Sequence, residues 1–459
     1  MTVPQQALRS TSQPARLRVG RSARSRVNGS LWHELIGEVD WSVGYIAFLY
    51  YVFVVITYWL PFADVAIVIA LIALLLKPQD WRMSPFLWTF AAFAVWCLLS
   101  YLASPYRSSS WLQTNAVLKL WLICFTAYSV IRTRANLRFF LAFAIGAFVL
   151  FPTRGAFINY FGGYNVLGRA LWNFAYANPN DLAAYALIFT SMSIALFFAS
   201  RHKLIRLGAL GTSGLLLLLI LFTQSRGAMI AAALVGVLFL IVNRRNVRIL
   251  LGAVALAVVA AYFAPRSVWD RLAGLANASV ASGFRGVDQE RSAEQRFQLL
   301  TVASRIARDN MVFGVGPGVY PIVHGEYART AKGEMPLAAG NRDPHNTILR
   351  TAAETGVIGL LLFSSMIGQA LIRARRRLKG MGKNADPVIR FLSYGVIAFM
   401  VAGLFGSFTY LNVLYLQLSL LELAMLLTVN RRSPQPVASV SPLRRRRALA
   451  PQSAILQGT

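Results

Sequence analysis

Asp343–Leu360 reads DPHNTILRTAAETGVIGL: a polar Asp-Pro-His-Asn run leads directly into a long apolar segment. His345 and Asn346 are followed by nine residues to Gly356 and three more to Gly359. This spacing predicts a membrane helix with polar chemistry at its mouth and close-packing glycines about two turns inside. Arg350 and Glu354 are four apart and can face one another as an ion pair, which lowers the cost of placing charges near hydrocarbon.

The whole chain supports a membrane setting. Its 459 residues are 56% hydrophobic and 14% charged, with mean hydropathy +0.54, far too apolar for an ordinary soluble protein. An all-α polytopic membrane protein is the expected class. Apolar segments fall near 41–60, 62–76, 85–103, 112–130, 138–152, 182–199, 205–222, 227–242, 248–264, 347–371, 390–406 and 410–429, which gives about twelve transmembrane helices. The organisation expected is a basic tail over 1–40, helices 1–9 over 41–264, a long loop over 265–345, helices 10–12 over 346–429 and a second basic tail over 430–459.

Charge sets the expected orientation. There are 46 Lys and Arg residues against 17 Asp and Glu, a formal net charge of +29. Most of the basic residues lie in the N-terminal arm, the alternate connectors 77–82, 132–138, 201–206, 244–248 and 373–390, and the tail with Arg444–Arg447. By the positive-inside rule these face the cytoplasm, as do both termini. That distribution accounts for the net charge without nucleic acid, and the tail run suits anionic membrane lipids. The N-terminal arm has no apolar core with a small-residue cleavage site, so it reads as a tail, not a signal peptide.

The connector 265–345 breaks the pattern of short turns. It lies on the outer side and carries Arg266, Arg271, Arg285, Arg291, Arg296, Arg305, Arg308, Arg329, Lys332 and Arg342, which suggests an outward-facing anion site. Within it, Glu294–Asp309 predicts an amphipathic helix with an apolar stripe of Phe297, Leu300, Ala303 and Ile306. Gly314, Gly316, Pro317 and Gly318 predict a tight turn; no P-loop Lys-Ser/Thr follows, which excludes a Walker-type nucleotide site.

Candidate chemistry sits at helix mouths. Arg226, in FTQSRGAM, is either a snorkelling interfacial arginine or a guanidinium that, with its helix N-terminus, faces a phosphate oxygen. Arg296 is either the polar face of a surface helix or a second clamp on a diphosphate. His345 is either a helix cap or a neutral imidazole able to accept a proton near pH 7, with Asn346 ordering it or a substrate hydroxyl. In YANPND (Tyr176–Asp181), Asn180 or Asp181 can cap the next helix or bind sugar. Cys97 and Cys124 lie in apolar runs and suggest neither a disulfide framework nor a metal site. No DxD, HExxH or His/Cys cluster appears, so a reaction without metal or cofactor is expected.

TQSRGAM, Arg296 upstream of DNMVFGVGPGVY (Asp309–Tyr320), and HNTILRTAAETGVIG together resemble the superfamily of O-antigen ligases and Wzy-type O-antigen polymerases. The resemblance implies a GT-C-like membrane glycosyltransferase of the bacterial inner membrane, with a large periplasmic loop between helices 9 and 10. It implies an undecaprenyl-diphosphate-linked glycan as donor and either lipid A-core or a second lipid-linked glycan as acceptor. The family's essential arginines carry over to Arg226 and Arg296, and its histidine to His345. Asn346, Arg350, Glu354, Asn180 and Asp181 are then candidates for substrate binding. A polysaccharide or lipid transporter without glycosidic chemistry is the alternative, because charges within a membrane also mark transport paths.

Overall fold

The computed structural model describes residues 30–242, 292–330, 339–382 and 385–429, together with Tyr262 and Trp269. The expected span at 248–264, the basic residues Arg266, Arg271, Arg285, Arg291 and Lys332, and both charged tails lie outside the described residues, apart from residues 30–40 and Tyr262.

Within the described residues the fold is helical. The helices are α1 (Val43–Thr57), α2 (Ala63–Leu75), α3 (Pro85–Ala103), α4 (Arg107–Val130), α5 (Arg134–Phe148), α6 (Arg154–Phe161), α7 (Pro179–Ala199), α8 (Lys203–Thr223), α9 (Arg226–Val242), α10 (Ser292–Asp309), α11 (Tyr320–Thr330), α12 (Thr347–Met381), α13 (Pro387–Ala402) and α14 (Asn412–Val429). Each apolar segment expected from sequence that falls within the described residues carries a helix. Among the described residues, five helices are long and apolar enough to cross a membrane by length and composition, fewer than the expected spans: α3, α5 continued through α6, α7, α8 and α12. Five more apolar helices, α1, α2, α9, α13 and α14, are 10–17 residues long. The chain is thus a multi-pass helical membrane protein in which several apolar helices fall short of a full bilayer crossing.

Local sequence explains where these helices begin. Ser84-Pro85, Asn178-Pro179 and Asp386-Pro387 share one device: a polar cap accepts a backbone N–H and proline occupies the first helical position. Proline fits there because that position needs no intrahelical donor. The expected caps Asn180 and Asp181 give way to Asn178, whose Oδ1 accepts from the Asn180 amide at 2.8 Å. A proline one residue later than the cap leaves Asn180 inside the first turn.

α7 is the central helix. Residues 182–193 are buried without interruption, as expected of a helix apolar on every side. Phe189 stacks on Phe148 of α5 with ring centroids 4.1 Å apart, and Gln417 of α14 reaches Ser191 at 3.0 Å.

α12 departs from the single helix read from sequence. At Gly356 the backbone takes φ 69°, ψ −175°, dividing it into a short half-helix, 347–355, and a long one, 357–381. The break is filled by residues 311–316: Val315 and Gly316 amides donate to the Ala353 and Glu354 carbonyls at 2.9 and 3.0 Å, and Val357 N donates to Met311 O at 2.8 Å. One face of α3 seals the insertion. Trp96 Nε1 donates to Thr355 O at 2.8 Å, Ser100 Oγ to Phe313 O at 2.6 Å and Ser104 Oγ to Val315 O at 2.5 Å. Broken backbone inside a membrane protein persists where every freed polar group finds such a partner. A Cβ at Gly356 would overlap the Val312 carbonyl, and one at Gly314 the Glu354–Thr355 peptide, so side chains are excluded from both strands of this crossing. The expected turn at Gly314–Gly318 therefore includes the end of an insertion into the bundle.

α10 confirms an amphipathic helix but shifts its stripe. Leu299, Val302, Ala303 and Ile306 are buried, against α11 and the short half of α12, whereas Phe297 and Leu300 are half-buried.

Candidate active site

Three helix starts meet one short turn and one strap. Thr347 N donates to Gly403 O at 2.7 Å, Asn346 Nδ2 to Leu404 O at 3.1 Å and Thr347 Oγ1 to Gly406 O at 2.8 Å, which anchors the mouth of α12 to the turn after α13. The start of α9 abuts the same turn, because a Cβ on Gly227 would lie 2.7 Å from Phe405 Cβ. Arg226 and His345, each one residue from these contacts, consequently open at the same end of the bundle.

The strap 168–170 ties in the third helix start. Ala170 N donates to Phe222 O at 2.9 Å, and Gln224, in the left-handed region at φ 51°, donates from Nε2 to Gly168 O at 2.8 Å. Arg169 Nε donates to Thr223 O at 2.9 Å, while its Nη2 donates to Asn180 Oδ1 at 2.8 Å. Arg169 thus links the α8–α9 turn that presents Arg226 to the N-terminus of α7. No local pattern in the sequence singles out Arg169; its nearness to Asn180 is a tertiary fact with no local signature.

His345 is the left-handed residue at the mouth, φ 50°, and Asn346 is the cap, its Oδ1 accepting from Leu349 N at 2.9 Å. The expected choice between cap and base therefore separates into two residues. The imidazole is held below its ordinary pKa of 6.5, first by burial and then by Arg296, with Arg169 and Arg342 acting in the same direction and Asp343 opposing them. A neutral ring at pH 7 is the consequence. The same interaction brings Arg296, on α10, into the electrostatic environment of His345. His324 has a different fate: it is fully buried and pairs through Nδ1 with Tyr320 Oη at 3.0 Å.

Arg350 and Glu354 meet as the four-residue spacing predicts, with Nε 3.2 Å from Oε1. Both point into protein contacts. Glu354 is fully buried and accepts from Tyr410 Oη at 2.5 Å and Tyr320 N at 3.3 Å; Arg350 also meets Asp343 at 3.0 Å. Asp181 lies within electrostatic reach of Asp343 and Arg350. The structure thus gathers His345, Arg296, Asp343, Arg350, Asp181, Asn180 and Arg169 around the mouths of α7 and α12, with Arg226 on the adjoining helix start. Helix N-termini and guanidinium groups together favour an anion. Among the described residues no group of three or more His, Cys, Asp or Glu forms a metal-binding cluster, and Cys97 and Cys124 are buried and unpaired with each other.

A multi-pass helical membrane protein with a cation-rich cluster at broken and capped helix mouths is the class these features define. Residues 211–364 match the family model described as O-Antigen ligase. That segment runs from within α8 through the α12 break, and the match bears out the resemblance carried by TQSRGAM and the His-Asn motif. No curated protein matches the chain.

Proposed function

We propose that the chain is a metal-independent, inverting glycosyltransferase that moves a glycan from undecaprenyl diphosphate to a hydroxyl acceptor, as an O-antigen ligase or a surface-polysaccharide polymerase. The observation that carries this reading is the half-buried His345, its pKa lowered by burial and by Arg296, at the mouth of a broken helix, inside the segment that matches the ligase family.

In the reaction, His345 accepts the proton of the acceptor hydroxyl as its oxygen bonds to the anomeric carbon. The bond from that carbon to the diphosphate oxygen breaks, and lipid diphosphate leaves with the electron pair. Diphosphate is a good leaving group, so the main requirement is stabilising its growing charge, the part assigned to Arg226 and Arg296. Asn180 and Asp181 sit in the first turn of α7, where sugar hydroxyls would lie; Asn346 shapes the mouth of α12 through its cap.

The accompanying topology is a GT-C-like bundle of about twelve membrane helices, some short or broken, in the bacterial inner membrane. Both tails are cytoplasmic and the 265–345 loop is periplasmic, where a lipid-diphosphate donor and either lipid A-core or a lipid-linked glycan meet.

Purified protein supplied with lipid-diphosphate glycan and each acceptor tests this. Longer lipid-linked chains indicate polymerisation, and a lipid A-core conjugate indicates ligation. Movement of glycan across the membrane without a new glycosidic bond would replace the enzyme reading with transport.

A further inference from the structure

Arg350 and Asp343 hold an arrangement that base chemistry at His345 does not by itself require. Asp343, Pro344 and His345 are consecutive, and the proline fixes the backbone between carboxylate and imidazole. Arg350 stands one turn inside the half-helix. Its Nη1 meets Asp343 Oδ1 at 3.0 Å, its Nε meets Glu354 Oε1 at 3.2 Å and its guanidinium lies 5.4 Å from the centre of the Tyr410 ring. Glu354 is itself fixed by Tyr410 Oη and Tyr320 N, and its carbonyl receives Ser100 Oγ at 3.1 Å and Gly316 N at 3.0 Å. The route from the helix break to the histidine is therefore continuous: insertion strand, Glu354, Arg350, Asp343, His345.

We propose that Arg350 is a positioning residue for His345, holding Asp343 against the buried Glu354 and so fixing the left-handed His345 backbone at the half-helix mouth. This rests on the reading of His345 as the base. Arg350 has 14% side-chain exposure, and Glu354 has none, so their contacts are internal, whereas Asp343, 40% exposed, is the most exposed of the three. A guanidinium fork can hold two carboxylates at once in fixed directions; an ammonium cannot do so with the same geometry.

The charged groups acting on His345 are Arg296 from α10, Arg169 from the strap, and Arg342 and Asp343 from its own segment. Asp343 in turn interacts with Arg350, Asp181 and Tyr320. Asp343 favours the imidazolium, so Asp343→Asn moves the acid limb of the kcat–pH profile to lower pH. Arg350→Gln removes the cation neutralising Asp343 and moves that limb to higher pH. Each variant lowers kcat about 10–100-fold through misplacement of the imidazole, while donor KM changes little. The double variant loses no more than the worse single one, because both break one linkage. Arg350→Lys recovers only part of the loss.

The assay is steady-state transfer by the full chain in lipid nanodiscs across pH 5–9, with His345→Ala measured alongside. Wild-type kcat and an unmoved acid limb in Arg350→Gln, with His345→Ala inactive, would overturn the positioning role and leave the base reading standing. Undiminished transfer by His345→Ala would instead remove the base reading. If Arg350→Gln does not accumulate folded, the near-isosteric Asp343→Asn carries the test, and an unmoved limb there likewise overturns the proposal.

Discussion

Replacing Gly356 by alanine tests the break in α12, on which the placement of His345 depends. At φ 69°, ψ −175° the backbone occupies a region that is essentially glycine's own, and forcing a side chain into it costs about 1–3 kcal/mol. The new Cβ would also overlap the Val312 carbonyl, so the insertion strand must withdraw. Withdrawal breaks the Val357 N–Met311 O bond and leaves that amide unsatisfied within an apolar membrane helix, at a further cost of about 1–3 kcal/mol. A loss near the middle of the combined range, about 4 kcal/mol, lowers the thermal midpoint by roughly 4 °C. Gly368 supplies the control: it lies in the long half of the same helix with nothing near its missing Cβ, where alanine is favoured by about 1 kcal/mol. Thermal unfolding of both variants in nanodiscs is the measurement. Trp96 is a local reporter, since its ring stacks on Phe313 at 5.3 Å and its Nε1 bonds Thr355 O. Equal midpoints for G356A and G368A, with Trp96 emission unchanged in both, would refute the broken-helix argument.

Three further outcomes follow from the site. His345 is held below pKa 6.5, so activity is present at neutral pH and is lost as pH falls through the lowered value; an acid limb above 6.5 in the wild-type profile would contradict the neutral-base assignment. Arg226→Ala removes a charge-assisted contact worth about 1.5–3 kcal/mol, weakening donor lipid-diphosphate binding by about 10–100-fold, and unchanged binding by the purified variant would reject the clamp. Glu354→Ala leaves the buried Arg350 without its main partner inside the bundle and destabilises by about 3–5 kcal/mol; an unaltered thermal midpoint would show that this ion pair does not hold the fold.

Helix positions were legible because apolar runs and proline-led caps are local signals. The Arg350–Glu354 pair was legible for the same reason, since a four-residue spacing fixes a shared helix face. The break at Gly356 was not: G-x-x-G fits close packing in a continuous helix equally well, and the partner that fills the gap, 311–316, is distant in sequence. The stripe on α10 shifted because Val302 and Leu299 pack against α11 and α12, contacts that periodicity alone does not choose. Arg169 escaped notice because its partners, Thr223 and Asn180, come from separate helix ends. Gly316 and Ser104 show the same limit: a residue read as a turn and a serine just past the expected 85–103 span meet where an insertion crosses a helix.

Release of lipid diphosphate in a single turnover, at saturating donor and acceptor, tests most directly whether His345 activates the acceptor. The account predicts a His345→Ala rate about 10²–10⁴-fold below wild type, with donor affinity retained. Equal release rates from the two proteins would contradict it.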